Sequence, residues 1–215
     1  MEAAERQWAV TELRKRERFD ATRSANAFSY LGAATEDGPA EAIAGYPFWR
    51  NYSVEAAVRS KGGGAFGLAI LRQGERDGYF VRCDPRAGRV ELLRTLDGVT
   101  DRLAARSGRL RVDDWYRLRL EACDGELAVA IDGHTVLRSC DSALLEGRVS
   151  LWSEDPKGTL FDDVLVRSLE LVVERYVPAS LDAWDVVGKW RPAPGRLVGA
   201  GRLVTRPPLA WLDFS

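Results

Sequence analysis

From Trp49 onward the chain alternates apolar and polar positions in short runs separated by turn residues. Between Trp115 and Cys123, Tyr116, Leu118, Leu120 and Ala122 are set against Arg117, Arg119, Glu121 and Cys123, the period of a half-buried strand. Asp124-Gly125 supplies the positive φ angles of a two-residue hairpin turn, Glu126 to Ile131 runs back, and Asp132-Gly133 turns the chain into Thr135 to Arg138. The same reading predicts strands over Tyr52 to Arg59, Phe66 to Arg72, Gly78 to Cys83, Arg89 to Thr95 and Val99 to Leu103. Two more follow, over Arg148 to Ser153 and Leu160 to Leu169. Gly62-Gly63-Gly64, Arg76-Asp77-Gly78, Asp84-Pro85, Asp97-Gly98 and Asp155-Pro156 punctuate them. Strands at this spacing, with no helical period between them, predict an all-β, antiparallel two-sheet sandwich.

The first twenty residues fit neither period, because Trp8, Val10 and Leu13 interrupt a stretch of helix formers, so a short helix and an irregular lead-in both stay open. The expected organisation is a lead-in over 1–26, one sandwich over 27–170, and over 171–215 a linker with the opening strands of a truncated second module. The last expectation rests on an echo: Phe48-Trp49-Arg50-Asn51-Tyr52-Ser53 recurs as Ala210-Trp211-Leu212-Asp213-Phe214-Ser215, and Glu17-Arg18-Phe19 as Glu174-Arg175-Tyr176. Half a sandwich cannot cover its apolar face, so such a tail must pack, pair along an edge, or stay poorly ordered.

Composition narrows the function classes. A formal charge of -1 leaves no net field for a polyanion, so nucleic acid is not the expected partner. No apolar run reaches membrane-span length, and Met1 to Asp20 is charged where a signal peptide carries its apolar core; the compartment stays open. Cys83, Cys123 and Cys140 are expected as free thiols, since the hairpin registers put Cys123 and Cys140 on strands two apart, roughly 10 Å from each other and beyond disulfide reach. His134, the single histidine, sits just past a turn and lacks the companions of a zinc site or a nucleophilic triad. Gly62 to Gly64 joins two strands with no helix to supply a phosphate-binding dipole, so it reads as a hairpin loop.

With the strands in place, the order of signals resembles the concanavalin A-like lectin/glucanase superfamily of jelly rolls, especially its laminin-G-like and 3-keto-disaccharide hydrolase members. The matching pieces are Trp49 to Ala56, Phe66 to Ile70, Gly78-Tyr79-Phe80, Trp115 to Leu118, Val129 to Gly133, Gly147 to Leu151 and Phe161-Asp162-Asp163-Val164. Gly188-Lys189-Trp190, Gly195 to Gly199 and Leu203-Val204-Thr205 look like the usual entry into such a domain. The resemblance implies a jelly roll that binds glycans or proteins, hydrolyses polysaccharides, or serves as a spacer. It also implies a structural Ca²⁺ near Asp162 and Asp163, against which stands a turn-capping hydrogen bond or an ion pair with an arginine. No other cofactor is expected.

Glycosidases of this fold place carboxylates at alternate positions of one strand, and no Glu-x-Asp-x-Glu pattern occurs. Asp113-Asp114, Glu154-Asp155 and Asp162-Asp163 are adjacent and would point to opposite faces. A non-catalytic carbohydrate-binding module in a tandem array is therefore the expected function. A keto-disaccharide-type glycoside hydrolase and a structural or protein-interaction sandwich are the alternatives. Sugars stack their C–H faces on aromatic rings and take bidentate bonds from Arg, Asp, Glu and Asn. The polar face of Arg117, Arg119 and Glu121, joined by Arg82 and Arg94 from other strands, is the expected ligand surface, with ordinary solvent-facing sheet as the other reading. Trp49, Trp115 and Trp152 fall at strand ends, as core, rim or ligand contacts.

Overall fold

The computed structural model describes residues 7–12, 28–74, 76–169, 184–193 and 196–205. Two compact units divide the chain at Glu170 and Leu171. Among the described residues of the first unit there are thirteen strands: β1 (Trp8–Glu12), β2 (Phe28–Gly32), β3 (Ala40–Ala44), β4 (Tyr52–Ser60), β5 (Phe66–Gln73), β6 (Asp77–Asp84), β7 (Arg89–Leu96), β8 (Val99–Ser107), β9 (Tyr116–Cys123), β10 (Glu126–Ile131), β11 (His134–Cys140), β12 (Arg148–Ser153) and β13 (Thr159–Ser168). They form a back sheet of seven strands, β1-β2-β13-β4-β9-β10-β11, and a front sheet of six, β3-β12-β5-β6-β7-β8. All the pairings are antiparallel. This is the predicted two-sheet sandwich.

The turn chemistry works as the sequence implies. Asp97-Gly98, Asp124-Gly125 and Asp132-Gly133 all take positive φ at both residues, the turn whose twist matches a right-handed hairpin. Burial then follows the period-two pattern. Leu118, Leu120 and Ala122 of β9 face the core, whereas Arg117, Arg119 and Glu121 do not. Tyr52, Val54, Ala56 and Val58 of the back sheet meet Phe66, Leu68, Ile70, Tyr79, Val81 and Leu92 of the front sheet in one apolar cluster.

At the N-terminus the helix expectation fails for the described residues: Trp8–Glu12 is strand β1, paired with β2 in the register Trp8 to Gly32. Helix propensity yields here to packing, since the Trp8 indole lies on Gly32 and its ring centroid is 5.7 Å from Phe161. The rest of the lead-in, including Leu13 and the Glu17-Arg18-Phe19 half of one echo, lies outside the described residues. So do Glu174-Arg175-Tyr176 and Ala210 to Ser215. In the second unit β14 (Trp184–Ala193) and β15 (Arg196–Thr205) pair as an antiparallel hairpin, with Trp190 opposite Gly199.

Three polar staples cross between the sheets. Tyr52 of β4 donates its hydroxyl hydrogen to the Gly147 carbonyl at 2.8 Å and accepts the Leu71 amide at 2.9 Å. That amide is free to do so because Leu71 sits at φ +53 in a bulge of β5. Burial pushes the Tyr52 phenol upward. Ser60 of β4 and Gly62 reach the buried Asp155, which follows β12. Tyr79 of β6 donates to Asp141, which follows β11, at 2.5 Å, and accepts the Leu144 amide at 3.2 Å. Burial and the Asp141 bond push the Tyr79 phenol up to about 12.

The last staple makes stability depend on acid. Burial works to raise the Asp141 carboxyl, but Tyr79, the Ala143 amide and Arg94 at 2.7 Å outweigh it and hold it below 3.8, its ordinary value. A carboxyl lowered in the folded state stabilises fully above its unfolded value and loses that contribution as pH falls through the folded one. The stability advantage of the wild type over Asp141→Asn, measured by urea unfolding, should therefore be constant above about pH 5 and shrink as pH falls below 3.8.

Candidate functional site

The two outer faces of the sandwich differ in chemistry, and the registers say which residues share each. Across the front sheet one row runs Glu41, Trp152, Gly67, Arg82, Glu91, and the next runs Ile43, Ser150, Ala69, Phe80, Leu93, Arg102. Directly paired residues point to the same side, and Leu68 and Val81 of the intervening row are in the core, so these rows face outward. Outside the main core, Ala65, Ala69 and Trp152 form a second buried apolar cluster with Phe80 packed on it.

That floor exists because β5, ahead of its bulge, presents the small residues Gly67 and Ala69 outward. The Trp152 indole lies against Gly67, where an added Cβ would stand 3.1 Å from Cε2. Over Phe80 lies the Arg72 guanidinium, 5.1 Å from the ring centroid. Arg72 is itself gripped by Glu41 through two bonds of 2.9 and 3.1 Å, and donates to the Asp77 carbonyl at 2.6 Å. Beside the floor, Arg82 donates to Glu154 at 2.6 Å and stands 3.6 Å from Asp84. Burial of Arg82 works against its charge, but Glu154, Asp84 and Glu91 raise its pKa above the ordinary guanidinium value. Glu91, nearly buried, receives Arg89 at 3.2 Å and Arg102 at 3.3 Å.

Among the described residues, two polar atoms at this face have no hydrogen-bond partner: Trp152 Nε1 and Ser150 Oγ. Both residues are buried, at 7% and 0% exposure, and such groups in native proteins are normally paired. They stand two residues apart on β12, so both project to the outer side of the front sheet.

The outer face of the back sheet is an ion-pair lattice. Arg117 bonds Glu55 at 3.1 Å and stands 3.5 Å from Asp163, and Arg119 contacts Glu121. Arg59 meets Asp113 at 2.9 Å and lies 5.9 Å over the Trp115 ring. The single polar surface expected from the sequence is thus divided. Arg117, Arg119 and Glu121 are on the back face and Arg82 is on the front. Arg94, opposite Tyr79 in the register, lies on the core side at the sandwich end, bound to Asp141 and Asp101. Sequence periodicity assigns a side within one strand, but not which of two sheets the strand joins.

Asp162 and Asp163 occupy a bulge of β13, with Asp163 at φ +47 and its amide donating to Asp162 Oδ1 at 2.8 Å. Among the described residues no group of three or more His, Cys, Asp or Glu side chains could hold a metal ion. Cys83, Cys123 and Cys140 are free thiols, and burial pushes the Cys83 thiol up to about 12. Of the three tryptophans singled out, Trp49 packs on the core and Trp115 under Arg59, which leaves Trp152 on a sheet face. Glu41, Arg72, Phe80, Glu91 and Glu154 were missed. The usable signal was Gly67-x-Ala69, alternate small residues in an otherwise bulky strand.

No family model and no curated protein sequence matches the chain. Among solved structures it is similar to the carbohydrate binding module CBM66 from Bacillus subtilis, at 19% identity and TM-score 0.58 over 75% of this chain and 96% of that one. It is also similar to a Bacillus subtilis protein of unknown function with galectin-like fold, at 15% identity and TM-score 0.54 over 76% and 90%. Caenorhabditis elegans galectin LEC-6 follows at 12% identity and TM-score 0.50 over 60% and 90%. The likeness is one of fold. It agrees with the antiparallel two-sheet β-sandwich seen here. Among the described residues no helix is long and apolar enough to cross a membrane.

Proposed function

We propose that the chain is a non-catalytic carbohydrate-binding jelly roll that takes sugar on the outer face of its front sheet. The observation that carries this reading is the pair of unpartnered buried polar atoms, Trp152 Nε1 and Ser150 Oγ, beside an aromatic floor and fixed guanidinium groups. A sugar offers both complements, a C–H face for Phe80 and Trp152 and hydroxyls for the polar atoms around them. Arg82 and Arg72 are already held by carboxylates, so little side-chain entropy is lost on binding. The carbohydrate-binding title of one similar structure supports the reading.

The carboxylates of this face, Glu41, Asp84, Glu91 and Glu154, each have an arginine partner, an arrangement suited to binding more than to acid and nucleophile chemistry. The alternative of a keto-disaccharide-type hydrolase would show glycoside turnover. Membership of a tandem array is part of the proposal, supported by the β14–β15 register, where Trp190 faces Gly199 as Trp8 faces Gly32.

A panel of neutral oligosaccharides titrated by tryptophan fluorescence tests the site. Saturable binding should weaken at least about tenfold in Trp152→Ala and in Arg82→Ala, and change less than about twofold in Arg119→Ala on the back face. Absence of binding across the panel, or greater sensitivity at Arg119, would overturn it.

A further inference from the structure

Charge on this nearly neutral chain is segregated. Four connections meet at one end of the sandwich: Lys61 to Gly64 between β4 and β5, Asp84 to Gly88 between β6 and β7, the segment after β8, and Asp155 to Gly158 between β12 and β13. Their contact is direct. Arg86 donates to the Gly62 carbonyl at 3.0 Å, the Gly108 amide donates to the Gly88 carbonyl at 2.9 Å, and the Asp113 amide donates to the Ser60 carbonyl at 2.8 Å. An added Cβ at Gly62 would stand 3.0 Å from Lys157, and one at Gly63 3.0 Å from Val112 and 3.6 Å from Arg86.

Lys61, Arg86, Arg106, Arg109, Arg111 and Lys157 are gathered here, all exposed, and among the described residues none has an ion-pair partner. The acids of the same loops are spent. Asp84 faces Arg82, Asp113 is bound by Arg59, and Asp155 is buried under the amides of Gly62 and Lys157. Asp114 alone is exposed and unpaired among them. Arg72, Arg82, Arg117 and Arg119 on the sheet faces are matched by carboxylates, and the unmatched Arg138, Arg148 and Arg167 are spread over separate strands, so the gathering of six unmatched cations at this end is a local property that net charge conceals.

We infer that this end of the sandwich binds an acidic polysaccharide through its carboxylate or sulfate groups. Single-stranded nucleic acid is disfavoured, because Trp115, the aromatic side chain of these four connections, already lies under the Arg59 guanidinium and offers a base no free ring face there. The outer face of the front sheet runs directly into the site, as Asp84, Arg89 and Glu154 lie between Phe80 and the loops. The choice of a polysaccharide among polyanions rests on the glycan reading of that face, whereas the positive end does not.

The test uses the full chain with a polyuronate, a sulfated polysaccharide and duplex DNA of matched length, at about 50 and about 300 mM salt. Arg86→Glu, Arg109→Glu and Arg111→Glu are combined in one variant. The control combines Arg138→Glu, Arg148→Glu and Arg167→Glu, which changes net charge equally. Arg138 and Arg167 lie in the row of Ser53, about 23 Å along β4 from Ser60, and Arg148 begins the strand whose far end leads to Lys157. Binding to the polyuronate, the sulfated polymer or both should fall at least about tenfold in the loop variant and less than about twofold in the control, and should weaken with salt. Equal losses in both variants, tighter binding to DNA than to either polysaccharide, or no binding at low salt would each overturn the inference. The neutral-sugar panel decides the sheet face separately, so the two failures are distinguishable.

Discussion

Asp155→Ala should lower the unfolding free energy by about 3–5 kcal/mol, because three donors lose their acceptor in a place water does not reach. Asp155 is fully buried; its Oδ2 accepts the Ser60 hydroxyl at 2.8 Å and the Gly62 amide at 2.6 Å, and its Oδ1 accepts the Lys157 amide at 3.0 Å. Ser60 also accepts the Gly63 amide at 2.9 Å, so the serine and the aspartate together close the β4–β5 loop onto the β12–β13 loop. The Asp155 carbonyl adds the amides of Ala34 and Gly158. Asp155→Asn, which keeps one acceptor oxygen, should fall between wild type and alanine, and Asp114→Ala should be nearly neutral. Urea unfolding monitored by tryptophan fluorescence reads all three. A cost below about 1 kcal/mol for Asp155→Ala would mean that water substitutes for the carboxylate.

The second large effect is expected at Gly67. A Cβ there would run into the Val81 carbonyl oxygen of the neighbouring strand and press on the Trp152 indole. Gly67 is in the middle of the front sheet, paired with Arg82 on one side and Trp152 on the other, so the strands must part where the ladder is continuous. Gly67→Ala should cost about 3 kcal/mol or more, as an overpacked site with backbone on the far side has no flexible atom to move. Whatever fraction still folds should bind sugar more weakly than wild type, since the indole is displaced. Gly108→Ala, with no atom within 4 Å of the added Cβ, is the matched control. Equal stability of the two variants would show that β5 and β6 can separate without loss.

These residues also mark how far the sequence reaches. The strands after residue 49 were legible, because a strand half buried in a sandwich must alternate and its turns need Asp-Gly or Gly at positive φ. β8 extends to Ser107, past the expected Leu103, because an exposed edge strand needs no apolar alternation to keep its backbone bonds to β7. β1 was unreadable for the converse reason. Its five residues carry little period, and what orders them is Trp8 against Gly32 and Phe161, contacts made across long sequence separations. Asp155 looked like a turn residue and is one, but its carboxylate acts on Ser60 and Gly62, which only chain closure brings near.

The candidate sites divide the same way. Alternation fixed by the amino-acid order decided that Arg82, Arg117, Arg119 and Glu121 point away from the core. Strand assignment to the front or back sheet decided which of them can share a ligand, since that depends on pairing energies summed over distant segments. Local composition likewise determined that arginines and acids are nearly equal in number. Only the folded arrangement of loops decided that some arginines find carboxylates across strands while six cations at one end do not, because Coulomb attraction acts through space and not along the chain.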